Sequence, residues 1–116
     1  LNGHVDFFVA GAGSGGTFSG IMRYLKEMNS GIQGVLADPE GSIIGGGLHG
    51  CYVVEGIGNG FIPKTMDLSL VDRTIKVNDE QSFTMVREIA TKTGLFVGSS
   101  VFYDLVERYL SKNIFE

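Results

Sequence analysis

The stretch from Val5 to Gly41 constrains the fold more than any other. Val5-Asp6-Phe7-Phe8-Val9-Ala10 is a short apolar run stopped by glycine, the pattern of a strand buried on both faces of a parallel sheet. Gly11-Ala12-Gly13-Ser14-Gly15-Gly16 then reads as a loop. From Thr17 onward Phe18, Ile21, Met22, Leu25 and Met28 recur at helical spacing, while Arg23, Lys26 and Glu27 take the other face. Asn29-Ser30-Gly31 stops the helix, and Gln33 to Ala37 reads as a second strand. A strand, glycine loop, helix and strand in this order form a β-α-β unit with a right-handed connection, so the expected class is α/β with a parallel, Rossmann-like sheet.

Beyond it, Asp38-Pro39-Glu40-Gly41 carries turn chemistry and leads into a long glycine-rich loop. Loops this long inside compact domains are either functional or disordered, and Ile43, Ile44, Val53, Val54, Ile57, Phe61 and Ile62 argue against disorder. Leu70 to Val77 reads as a strand. Asn78 with Gln81 three residues on marks the start of a helix to about Thr93, and Gly94 its stop. Leu95-Phe96-Val97 is expected as a short strand and Asp104 to Ser111 as a last short helix.

Composition narrows the function classes. Of 18 glycines in 116 residues, 15 lie between Gly11 and Gly60, and a hydrophobic share of 43% excludes low-complexity disorder as the cause. The backbone there must bend or approach something closely. A net charge of −4 without charge runs offers no footprint for nucleic acid or an anionic membrane, so small molecules or proteins are the expected partners. The single Cys51 forms no internal disulfide, no apolar stretch reaches a membrane span, and Leu1-Asn2-Gly3-His4 is no signal peptide. The setting implied is cytoplasmic. A single domain is expected, and the lack of an initiator Met implies a chain that begins partway through a longer protein.

A helix N-terminus presents unpaired amides and a partial positive charge, and glycines ahead of it let the backbone close on a phosphate. Gly13 through Thr17 has that form, with hydroxyls from Ser14 and Thr17. A P-loop is excluded, because Thr17 stands where its lysine belongs. Dinucleotide binding stays open at this point, since Gly11, Gly13 and Gly16 fit G-x-G-x-x-G and Asp38 ends the next strand. So does a turn that only lets helix and strand pack. His49 and Cys51 lack the further ligands a metal needs and read as loop residues. Asp38 and Glu40 read as solvent-exposed turn residues, Met22, Met28 and Met85 as core, and Tyr103, Tyr109 and Phe115 as packing for the last element or an interface.

Three separated segments choose among these. Gly13-Ser14-Gly15-Gly16-Thr17-Phe18-Ser19-Gly20, Glu55-Gly56-Ile57-Gly58-Asn59-Gly60-Phe61-Ile62-Pro63 and Gly94-Leu95-Phe96-Val97-Gly98-Ser99-Ser100 resemble, in order, the cysteine synthase and cystathionine β-synthase family of pyridoxal-phosphate enzymes. The resemblance runs almost continuously from Leu1 to Ser100. It implies the three-layer parallel-sheet fragment of the larger domain of a fold-type II enzyme, with pyridoxal 5'-phosphate as cofactor. It places Gly13, Ser14, Gly15, Gly16 and Thr17 on the cofactor's phosphate and the Ser100 hydroxyl at its pyridine nitrogen. A neutral hydroxyl there makes a milder electron sink than a carboxylate would. Gly56, Ile57 and Gly58 fall in the loop on the substrate side. The implied reaction is β-replacement on serine or O-acetylserine by sulfide or homocysteine, in a homodimer acting on an amino-acid substrate.

Two departures qualify it. The family's cofactor-linking lysine lies in an earlier Asn-Pro segment that nothing here resembles, and Lys26, Lys64, Lys76, Lys92 and Lys112 read as solvated charges. No catalytic residue is therefore assigned, and the chain alone is expected to bind cofactor weakly and to turn nothing over. A non-catalytic remnant or interaction domain of the same fold is the alternative reading. After Ser100 family members continue Ser-Gly-Ala, whereas Val101-Phe102-Tyr103-Asp104 stands here, so residues 1–116 read as one incomplete domain with a segment missing between 100 and 101. Apolar edges left by such a cut imply poor solubility.

Overall fold

A computed structural model describes residues 2–100 of the chain. Its elements are β1 (Phe7–Ala10), α1 (Gly16–Met28), β2 (Gln33–Pro39), a 3-10 turn (Leu68–Leu70), β3 (Arg73–Val77) and α2 (Asp79–Thr93). The strands make one parallel sheet in the order β1-β2-β3. Phe7 stands opposite Gln33 and Ala10 opposite Leu36, while Val35 faces Arg73 and Pro39 faces Val77. β2 is central, which explains its continuous apolar run: successive side chains go to opposite faces, and both faces are covered. Val35 and Ala37 pack with Val54, Ile75 and Val77 on one side. Leu36 joins Phe18, Met22, Ile32, Ile44 and Met66 on the other, beneath α1. The tilted Phe8 and Phe18 rings, with centroids 5.8 Å apart, tie β1 to α1.

Gly34 is needed in β2 because a Cβ there would lie 2.6 Å from the Leu70 carbonyl oxygen and about 3 Å from the end of Met22. Its N–H donates to Asp72 Oδ2 at 2.7 Å, and Lys26 Nζ meets the same oxygen at 2.7 Å. Burial raises the Asp72 pKa, but these two donors outweigh it and hold the carboxyl below the ordinary range. The first helix is thereby pinned to the entry of β3.

Several boundaries differ from the sequence reading. Asp38 and Pro39 continue β2 instead of forming a turn, and Asp38 is fully buried, not solvent-exposed. Its Oδ2 accepts from Lys76 Nζ at 2.6 Å and from the Gly45 amide at 3.0 Å. Lys76 and Lys26 are consequently paired side chains and not simply solvated charges, Lys92 pairs with Glu88 along α2, and Lys112 lies outside the described residues. The expected strand from Leu70 begins only at Arg73, because the Leu70 and Val71 amides are taken by Asp67 and Leu68 carbonyls in the 3-10 turn. Leu95 to Val97 forms no strand: Gly94 adopts a left-handed conformation that ends α2, and Phe96 is 95% exposed. Met28 is 66% exposed and lies outside the core, whereas Met22 and Met85 are buried as expected. The expected helix 104–111, Tyr103, Tyr109, Phe115 and the proposed junction after Ser100 lie outside the described residues. Among the described residues no helix is long and apolar enough to cross a membrane.

Candidate functional site

A cleft of about 310 Å³ opens at the carboxyl end of β1, lined by Gly11, Ala12, Gly13, Ser14, Gly15, Thr17, Phe18, Gly56 and Ile57. One wall is the loop between β1 and α1. α1 starts at Gly16 with Gly15 as its N-cap at φ +81°, a conformation that favours glycine. No side chain caps this helix and no acidic residue stands in its first turn. Its leading amides therefore face the cleft without an internal acceptor, and every lining residue is uncharged. The site can hold an anion with amides, hydroxyls and a helix dipole alone.

The opposite wall comes from the long loop. A Cβ on Gly13 would lie 2.7 Å from the Gly56 carbonyl oxygen, so the approach of the two loops requires glycine at 13. The Gly58 amide donates to the Ala12 carbonyl at 2.8 Å, zipping the walls together below the cleft. Behind the loop between β1 and α1, a phosphate-type loop in its form, Met66 packs against Gly15, and Thr65 Oγ1 donates to the Ser14 carbonyl. Ser19 Oγ accepts from the Asp67 amide at 2.9 Å, so α1 itself holds this backing segment.

The structure thus brings together Gly13, Ser14, Gly15, Thr17, Gly56 and Ile57. Gly16 is the first residue of α1, between two lining residues, and Gly58 lies just behind the wall. Ser100 is exposed and does not line the cleft. Sequence reasoning missed Met66, Thr65 and the Asp38–Lys76 pair, which act from positions distant in sequence. Only the register of β2 against β3, with Asp38 opposite Lys76, would have linked that pair. Near it, burial first and the Asp38 charge second push the Tyr52 hydroxyl above its ordinary pKa. Asp38 is fully buried, its Oδ2 taken by Lys76 and Gly45 and its Oδ1 enclosed, so the carboxylate a dinucleotide ribose would need at the end of β2 is not presented to a ligand. Among the described residues no cluster of three His, Cys, Asp or Glu could hold a metal.

Residues 1–101, which carry this cleft between strand and helix, match the model of the pyridoxal-phosphate dependent enzymes, and the chain belongs to that family. Within it, the chain is 42% identical to the O-acetylserine dependent cystathionine beta-synthase of Bacillus subtilis, over an alignment of 139 positions that takes in all of this chain and 45% of that protein. It is 39% identical to a Helicobacter pylori cysteine synthase, covering 99% of this chain and 45% of the relative. Among solved structures, the O-acetylserine dependent cystathionine beta-synthase of Helicobacter pylori superposes with a TM-score of 0.82 at 44% identity, over 92% of this chain and 35% of that one. A hydrogen sulfide-producing enzyme from Fusobacterium nucleatum gives 0.79 at 37% identity, over 86% and 34%. The chain spans about half the length of the curated relatives it matches. Pyridoxal phosphate is the cofactor of this family, which removes dinucleotide binding as a reading of the glycine loop.

Proposed function

We propose that the cleft is the pyridoxal-phosphate phosphate site of an enzyme that replaces the β-substituent of O-acetylserine or serine by sulfide or homocysteine, giving cysteine or cystathionine. The observation that carries this is the uncapped, acid-free N-terminus of α1 facing a wall of glycine backbone. The relatives named above, which act as cysteine and cystathionine synthases, support the reaction class. In this reading the amides and hydroxyls of Gly13 to Thr17 hold the phosphate, and Gly56, Ile57 and Gly58 border the substrate. Ser100 offers its hydroxyl to the ring nitrogen, a role that requires the segment around it to reach the cleft in the intact protein. When bound, the cofactor supplies an electron sink for negative charge at the substrate's α-carbon. The chain's own contribution is to fix the phosphate with neutral donors and to bring backbone close to the substrate.

The intact protein is taken to be a cytoplasmic homodimer acting on a small amino-acid substrate. Residues 1–116 are taken as one incomplete domain with a segment missing after Ser100, a reading supported by the 139 aligned positions needed for a chain of 116 residues. Titration with pyridoxal phosphate, followed by assay with O-acetylserine and either sulfide or homocysteine, tests the proposal. The full reading frame should encode an upstream Asn-Pro segment bearing a lysine and should turn over, whereas residues 1–116 expressed alone should bind weakly and turn nothing over. Turnover by residues 1–116 alone, or a full-length protein blind to the cofactor, would overturn it.

A further inference from the structure

Both walls of the cleft are mostly backbone, and backbone alone does not keep two loops in register. The phosphate-type loop is fixed by the strand before it and the helix after it. Gly56-Ile57-Gly58 belongs to no strand or helix, yet side chains grip the chain on both sides of it. On the later side, the buried Ser42 Oγ accepts from the Asn59 amide at 3.0 Å and donates to the Asn59 carbonyl at 3.3 Å. The Ser42 carbonyl accepts in turn from Lys76 Nζ at 2.7 Å. On the earlier side, Asp79 at the start of α2 accepts from the Val53 amide at 3.0 and 2.9 Å and from the Val54 amide at 3.1 Å. Between the grips, the Gly56 carbonyl sits on Gly13 and the Gly58 amide on Ala12.

We propose that Asp79 is a positioning residue whose carboxylate, through Val53 and Val54, holds the Gly56–Gly58 wall against the phosphate-type loop. A hydrogen bond to an ionised acceptor is about twice as strong as a neutral one, and here two adjacent amides share the charge. The carboxylate has no contact with the cleft itself, so its effect is on the shape of the site and not on any reacting atom. The substrate side of the inference rests on the function proposed above; the mechanical side does not.

Amide hydrogen exchange on the full-length protein separates the two, comparing Asp79→Asn with Glu80→Gln. The second variant removes the same charge from the same helical turn without touching the loop, so it controls for the helix dipole. Asp79→Asn should speed exchange at Val53, Val54 and Gly58 by about tenfold or more while leaving Val35 and Leu36 in the sheet within about twofold. Glu80→Gln should leave all five near wild type. A Gly58 amide that stays protected in Asp79→Asn overturns the proposal, as does an equal rise at Val35, which reports global loosening, or the same pattern in Glu80→Gln. In the cofactor-loaded protein, Asp79→Asn should raise KM for the amino-acid substrate by about fivefold with cofactor affinity within about twofold. A parallel loss of cofactor affinity overturns the assignment to the substrate wall. Wild-type protein that binds no cofactor refutes the proposed function and leaves the exchange result to judge Asp79.

Discussion

At the start of α1 the chain offers free amides and no side chain to meet them; at the start of α2 a capping box is in place. Asn78 Oδ1 accepts from the Gln81 amide at 2.9 Å, Gln81 Oε1 accepts from the Asn78 amide at 3.0 Å, and Asp79 and Glu80 add negative charge to the first turn. α1 has a left-handed glycine as its cap, no side-chain cap bond and no acid. Both helices follow strands of the same parallel sheet, so the difference is one of use. α2 closes its own end with side chains, whereas the open end of α1 suits the anion proposed for it. With glycine at the cap, the missing side-chain bond costs only about a few tenths of a kcal/mol, which the burial of Phe18 and Met22 of α1 readily offsets.

The contrast can be broken most severely at Gly13. Gly13→Val drives a branched side chain into the Gly56 carbonyl, so the cleft should lose cofactor binding to below detection in an absorbance titration of the full-length protein, while the far-ultraviolet dichroism keeps its α/β form. Making α1 resemble α2 is the next test. Thr17→Glu puts a carboxylate into an acid-free first turn; it should raise the melting temperature of the ligand-free protein slightly, by the equivalent of about 0.5 kcal/mol, and weaken cofactor binding about tenfold or more. Making α2 resemble α1 should do less. Asn78→Ala removes the capping box and should cost about 1 kcal/mol in a denaturant melt with no change in cofactor affinity. The smallest effect belongs to the pin between α1 and β3. Because the Asp72 pKa is depressed when folded, its contribution is present above the ordinary carboxyl value of 3.8 and is lost as pH falls below it, so Asp72→Asn should flatten that part of an acid stability curve.

What could be read from residues alone was local. The β1, glycine loop and α1 succession is legible because strand and helix periods meet at a run of glycines, and the capping box of α2 because its partners are three residues apart. Asp38-Pro39 misled because the dipeptide favours turns, yet the Glu40 amide takes up the ladder to the Val77 carbonyl and carries the strand through it. Met28 misled because helical spacing cannot tell which of two apolar stripes meets the sheet, and Ile21, Tyr24 and Met28 form the outer one. Asp79 left no signal, since an acid in the first turn of a helix needs no loop to explain it.

The supports of the cleft also set an order of events as the chain folds. α1 and its capless end form within one short stretch, whereas Thr65 reaches Ser14 across 51 residues and Asp67 reaches Ser19 across 48. Asp79 reaches Val53 across 26. Contacts that close longer loops cost more chain entropy before they return anything, so the β-α-β unit is expected to condense before the two walls meet. The wall that the loop after β2 lends to the cleft is therefore expected as the later addition, set against an α1 end that is complete without it.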